Sequence, residues 1–186
     1  MGDMTSRVLY LFGSAAPPVL DVVRVVAGAQ ERGFDVCLGL TPTAARWLEP
    51  QLLELERATG HPVRSEYKQP DEPDVWPKAD VIAFAPVTFN SVNAWALGLT
   101  RDFVVGVVAE GIGKGIPIVA MPCVNAAYVR HRQFERSVAE LRAMGVEVLY
   151  GEGGFVPNQP GQGRPGEYPW PLLLDAAERL ASQPSE

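Results

Sequence analysis

RVLYLFG (7–13) runs directly into SAAPPVLDVVRVVAGAQERG (14–33) and then FDVCLGL (34–40). The first run is rich in β-formers and stops at Gly13. From about Pro18 to Arg32, Leu20, Val23, Val26 and Ala27 fall on one helical face, and Gly33 closes the segment. FDVCLGL reads as a second strand, after which Thr41-Pro42 opens another helix, since proline suits a first helical turn. Strand, helix, strand in this order sets the class of fold.

The same unit recurs down the chain. ADVIAFAP (79–86) is apolar enough to be covered on both faces. Helical stretches follow around 90–98 and from about Arg101 to Gly113. GIPIVAMP (115–122) and GVEVLYG (145–151) are two further strands, separated by a helix from about Val129 to Met144, and a last helix covers roughly Trp170 to Ser182. Alternation of this kind implies right-handed crossovers and a parallel sheet between two helical layers. The expectation is a three-layer α/β domain, Rossmann-like in the flavodoxin-like manner, spanning residues 1–186.

Two segments interrupt the pattern. Residues 61–78 hold four prolines with no periodicity and read as an irregular loop. Residues 151–170, GEGGFVPNQPGQGRPGEYPW, hold six glycines and four prolines, so neither helix nor strand can run through them. Loops this long usually serve a function or lack order, and Phe155, Tyr168 and Trp170 suit a flap over a bound substrate.

Composition narrows the function. The chain has 186 residues, 47% hydrophobic and 20% charged, within the range of one globular domain. Its 16 basic against 22 acidic residues leave a net charge of −6, without the basic footprint that nucleic-acid binding requires. No apolar run is long enough for a membrane span, and no signal-peptide pattern is visible. MGDMTS (1–6) fits a myristoylation pattern through Gly2 and Ser6, but a ragged start with Met4 as initiator is the simpler reading. Two cysteines, Cys37 and Cys123, give no disulfide framework, and two histidines make a zinc site improbable, so no metal is expected. A cytoplasmic protein follows.

Parallel sheets bind ligands at the carboxyl ends of their strands. Here those ends are Gly13–Ala16, Thr41–Ala44, Pro86–Ser91 and Met121–Asn125, all rich in small, hydroxyl or amide residues. Helix-opening turns present free N–H groups to an anion. No Lys or Arg lies within these turns, which suits a phosphate held by neutral donors. GSAAPP is not GxGxxG, which argues against a dinucleotide fingerprint. A mononucleotide such as FMN fits better than ATP.

PVTFNS (86–91) resembles the PASANT motif of the homo-oligomeric flavin-containing cysteine decarboxylases, which include phosphopantothenoylcysteine decarboxylase and lantibiotic-type peptidyl-cysteine decarboxylases. ALGLTRDF (96–103) is similar to their A-x-G-x-x-D-N-L stretch through Gly98 and Asp102, with Phe103 in place of Asn. MPCVNAAYVRH (121–131) resembles P-x-M-N-x-x-M-W-x-H through Pro122, Asn125 and His131; Val124 and Tyr128 replace the methionines and Val129 the tryptophan. GQGRPGE (161–167) is similar to G-x-G-R-x-x-E of the coenzyme A branch flap. The resemblance implies FMN bordered by Gly13, Ser14, Thr41, Pro86, Thr88, Asn90, Ser91 and Met121. It also implies catalytic roles for Asn125, on the substrate carboxylate, and for His131, with Arg164 meeting an anionic substrate from the flap. A trimer-based homo-oligomer is implied as well, for which the apolar stretch FVVGVV (103–108) and Trp95 offer some support.

The departures point elsewhere. The family's catalytic His falls here on Asp71 or Glu72, and His61 could replace it only if the 61–78 loop folds back. The flap Cys falls on Pro157, which argues against phosphopantothenoylcysteine decarboxylation. The expected activity is flavin-dependent oxidative decarboxylation of a cysteine-like thiol acid or a C-terminal-cysteine peptide. The alternatives are a non-catalytic flavin-binding regulatory subunit and, third, a flavin prenyltransferase, whose prenyl phosphate would need cations such as Lys114 and Arg101.

Overall fold

A computed structural model describes residues 6–183; Gly2 lies outside them. Five strands form one all-parallel sheet: β1 (Arg7–Gly13), β2 (Phe34–Leu40), β3 (Val81–Val87), β4 (Ile118–Pro122) and β5 (Glu147–Val148), in the order β2-β1-β3-β4-β5. The central strands are apolar throughout because both faces are covered. β3 (VIAFAPV) and β4 (IVAMP) are buried at every position.

Helices α1 (Val22–Glu31), α2 (Pro42–Trp47) and α3 (Leu52–Thr59) precede β3; α4 (Phe89–Ala96) and α5 (Phe103–Gly113) link β3 to β4. The chain then continues through α6 (Ala126–Val129) and α7 (Arg132–Ala143), and α8 (Trp170–Ala181) is the last helix among the described residues. From β1 the chain steps one way to β2 through α1 and later the other way from β3 to β4. Right-handed crossovers therefore place α1 and α4–α5 on opposite faces. α8 packs back across β3 and β4 beside α1. The three-layer flavodoxin-like arrangement expected from the sequence is the arrangement found.

Several boundaries differ from those read in the sequence. Pro17–Asp21 is a 3-10 turn ahead of α1, with both prolines in its first turn, where their missing N–H groups cost nothing. The helix predicted over 129–144 is α7, which begins at Arg132 behind the separate short turn α6, with His131 capping it by accepting Gln133 N–H at Nδ1 (3.2 Å). β5 pairs over only two residues.

The 61–78 loop is irregular but firmly attached. Leu40 N–H donates to the Arg64 carbonyl (2.8 Å) and Arg64 N–H to the Leu38 carbonyl (3.1 Å), adding one bridge outside β2. Trp76 is buried against Tyr10, and its indole N–H donates to the Pro62 carbonyl (2.9 Å). Tyr67 lies over Gly106, where any Cβ would collide with its ring hydroxyl. His61 sits beside Asp35 near the start of β2, with Nε2 and Oδ1 2.8 Å apart, at the amino end of the sheet. It cannot replace a base at the carboxyl end.

FVVGVV and Trp95 do not form an outer face. Phe103, Val104, Val105, Val108 and Trp95 are all buried within the chain's own core. Among the described residues no helix is long and apolar enough to cross a membrane.

Candidate functional site

β1 and β3 are neighbours in the sheet although their crossovers depart in opposite directions, so the helices diverge at their carboxyl ends and leave a crevice. Ser14 closes the floor of that crevice. Its N–H and its hydroxyl both donate to the Pro86 carbonyl (2.9 and 2.7 Å), and its Oγ accepts from Thr88 N–H (2.8 Å). Gly13 precedes it because an added Cβ would lie 2.9 Å from Val19 Cγ2.

Above this floor opens a cleft of about 720 Å³, within the range of small-molecule sites. Its walls come from the turns after β1, β2, β3 and β4 and from the 151–170 segment. Of the residues predicted from sequence, Ser14, Thr41, Thr88, Asn90, Ser91, Asn125 and Arg164 line it together. Gly13, Pro86 and Met121 do not. They form the buried layer beneath, with the Pro86 and Met121 carbonyls already accepting from Ser14 and Tyr168. His131 is also outside the lining; its ring meets Phe89 edge-on at 5.5 Å.

The hydroxyls are not equivalent. Ser14's proton is engaged with Pro86. Thr88 caps α4, accepting from Ser91 N–H (3.3 Å) while its own hydroxyl donates to Ser91 Oγ (3.1 Å). Thr41 differs: it makes no cap bond to α2, and its hydroxyl has no partner among the described residues although the residue is buried. First-turn N–H groups have no partner within their own helix, so those of Thr43 and Asn90, both in the lining, remain free for an acceptor. Such donors fit a phosphate bound without a cation beside it.

On the β4 side, Asn125 Oδ1 accepts from Ala127 and Tyr128 N–H (3.0 and 3.1 Å), which opens α6. The amide NH2 of this cleft residue makes no hydrogen bond among the described residues and is available as a donor to a carboxylate. Cys123 also lines the cleft, and burial pushes its thiol up to about 11, so it is a neutral thiol at ordinary pH.

The 151–170 segment forms the outer wall. Phe155 N–H donates to the Leu149 carbonyl (3.1 Å), Ala126 N–H to the Asn158 carbonyl (2.8 Å), and the buried Tyr168 hydroxyl to the Met121 carbonyl (2.6 Å). Between these anchors, 159–167 is exposed. Three charged side chains line the cleft, Arg101, Asp102 and Arg164. Asp102 is occupied in capping α5 through Val105 N–H (2.9 Å). Of the two cations named for a prenyl phosphate, Arg101 reaches the cleft from the turn between α4 and α5. Lys114 pairs with Glu110 (2.9 Å) at the far end of α5. No histidine or lysine occurs among the described lining residues, and Glu72 is turned to Gln69 N–H (2.9 Å) in a separate surface depression.

A parallel β2-β1-β3-β4-β5 sheet with a donor-lined cleft at its switch point defines a mononucleotide-binding type of α/β protein. Residues 3–168 match the flavoprotein family model, and the chain belongs to that family. No curated protein matches it in sequence. Among solved structures, it is similar to the FMN-dependent cysteine decarboxylase TvaF from thioviridamide biosynthesis, at 17% identity and TM-score 0.74 over 95% of this chain and 99% of that one. It also resembles SpaF, another FMN-dependent cysteine decarboxylase, at 22% identity and TM-score 0.67 over 93% and 98% of the two chains. HAL3 from Cryptococcus neoformans aligns at 18% identity and TM-score 0.66 over 95% and 96%. At these identities the likeness establishes a shared fold.

Proposed function

We propose that the protein binds FMN in the β1/β3 cleft and uses it to oxidise and decarboxylate a cysteine-like thiol acid or a C-terminal-cysteine peptide. The observation that carries the cofactor reading is the pairing of a switch-point cleft with unpartnered neutral donors, the Thr41 hydroxyl and the Thr43 and Asn90 N–H groups. A phosphate monoester fits that donor set. FMN when bound supplies a two-electron acceptor. The chain's own residues would then hold the substrate: the Asn125 amide orients its carboxylate without a salt bridge that would favour the charged ground state, and Arg101 and Arg164 attract anions to the mouth. The 151–170 segment excludes water. Domain organisation supports one functional unit, with 151–170 as its flap and 61–78 as a structural loop.

One observation favours a second reading, a non-catalytic flavin-binding subunit. Neither histidine reaches the cleft: His61 sits by Asp35 and His131 caps α7. A trimer-based homo-oligomer acting in the cytoplasm completes the proposal. Exposed Leu97 and Leu99 at the end of α4 support association, and the free thiols of Cys37 and Cys123 suit a reducing compartment.

The test is to purify the chain, add FMN, and record the absorption bands of oxidised flavin on the protein after gel filtration. Bound flavin followed by CO₂ release from a C-terminal-cysteine peptide selects the enzyme. Bound flavin without turnover selects the subunit, and protein that leaves FMN free overturns the cofactor assignment. Light scattering on the same sample reads the oligomer.

A further inference from the structure

Phe89, at the start of α4, is the hub of an aromatic cluster that rises from the core to the cleft. Its ring runs near-parallel to the fully buried Phe134 (6.4 Å between centroids, 19° between planes). It stacks on Tyr128 at 4.6 Å and 26°. His131 pins Phe89 from the edge at 77°, which gives that histidine a packing role besides its cap. Tyr128 is held from below by its N–H bond to Asn125 Oδ1. Yet its side chain is 49% exposed in the cleft wall, and its hydroxyl has no partner among the described residues.

An aromatic ring backed by a second ring and fixed at its backbone is pre-organised for offset stacking, because it loses little freedom on binding a planar group. Nothing in the fold requires it to be aromatic: α6 is a single turn with no buried residue, and Phe134 fills the core with Phe89 packed against it. We infer that Tyr128 is a stacking platform for the isoalloxazine ring, at the end of the cleft opposite the Thr41–Thr43 donors. This assignment rests on the FMN reading and adds the residue that holds the ring.

An electron-rich ring stacked on an excited flavin quenches its fluorescence by electron transfer, so the contact can be read without turnover. FMN is titrated into the full chain and into Tyr128→Leu and Tyr128→Phe, following flavin emission, with circular dichroism to verify folding. Wild type is expected to bind FMN with strongly reduced emission. Tyr128→Leu is expected to bind about three- to tenfold more weakly, with emission regained when saturated. Tyr128→Phe, which keeps the ring, is expected to stay near wild type in affinity. Equal affinity and equal emission in wild type and Tyr128→Leu overturn the assignment, as does weakened binding with unchanged emission. A wild-type chain that binds no FMN at all overturns the flavin reading and this assignment with it, and is recognised before any variant is made.

Discussion

The Tyr168 hydroxyl donates to the Met121 main-chain oxygen at 2.6 Å, tying the end of the 151–170 segment to the carboxyl end of β4. Tyr168 also lies against Phe155 (5.6 Å) and Trp170 (4.9 Å), so the two ends of the segment meet through aromatic rings. A Gly- and Pro-rich stretch thereby becomes an arch with fixed feet over the cleft.

Tyr168→Phe removes the bond and leaves the Met121 carbonyl with only its β3 ladder partner. A loss of ~0.5–1.5 kcal/mol in denaturant unfolding is expected, with faster proteolysis inside 151–168. Added FMN should slow that cleavage in the parent. Cleavage that no ligand slows would make the segment a linker instead of a flap.

Ser14 and Thr41 should separate stability from binding. Ser14→Ala removes the hydroxyl's bonds to the Pro86 carbonyl and from Thr88 N–H, leaving only the Ser14 N–H bond to Pro86, and is expected to cost ~1–3 kcal/mol of folding free energy. Thr41→Val removes a hydroxyl the fold does not use, so its unfolding midpoint should stay put while FMN binding weakens by ~1–2 kcal/mol. Calorimetric titration beside urea unfolding distinguishes them; the reverse pattern would place the phosphate elsewhere.

Asn125→Asp keeps the oxygen that caps α6, and Asp caps about as well as Asn, so stability should change by less than ~0.5 kcal/mol. It removes the NH2 donor and adds a negative charge facing the cleft. Binding of a C-terminal-cysteine peptide to the FMN-loaded protein should be largely lost while FMN affinity is kept. Retained peptide affinity would remove Asn125 from the substrate site.

Alkaline pH should destabilise the fold. Burial pushes the thiols of Cys37 and Cys123 up to about 12 and about 11, from an ordinary 9.0, and the Tyr10 phenol to about 12. The folded chain keeps protons that the unfolded chain has released, so stability falls with rising pH over that window. The contribution is complete below 9.0 and lost as pH climbs towards about 12. Unfolding midpoints at neutral pH and at pH about 11 check the sign, and Cys123 should react slowly with thiol reagents in the native state at mild pH.

Much of this was legible along the chain because the signals are local. RVLYLFG, FDVCLGL and IVAMP carry the apolar continuity of strands covered on both faces, and the turn that follows each carries helix-opening chemistry. Those patterns determined the parallel sheet, its ligand-binding edge and most of the residues that meet there. What a given side chain does at that edge was decided by the tertiary structure. Ser14, Thr41 and Thr88 look alike as hydroxyls after strands. Only the pairing of β1 with β3 brings Pro86 against Ser14, 72 residues away, and engages its proton, while the Thr41 hydroxyl in the cleft wall is left without a partner. The same long-range packing buried Trp95, brought Arg101 to the cleft, and set His131 and Tyr128 against Phe89. Periodicity records which face of an element is apolar. It holds no record of which distant group a polar side chain will meet, because the partner is chosen by how the layers close.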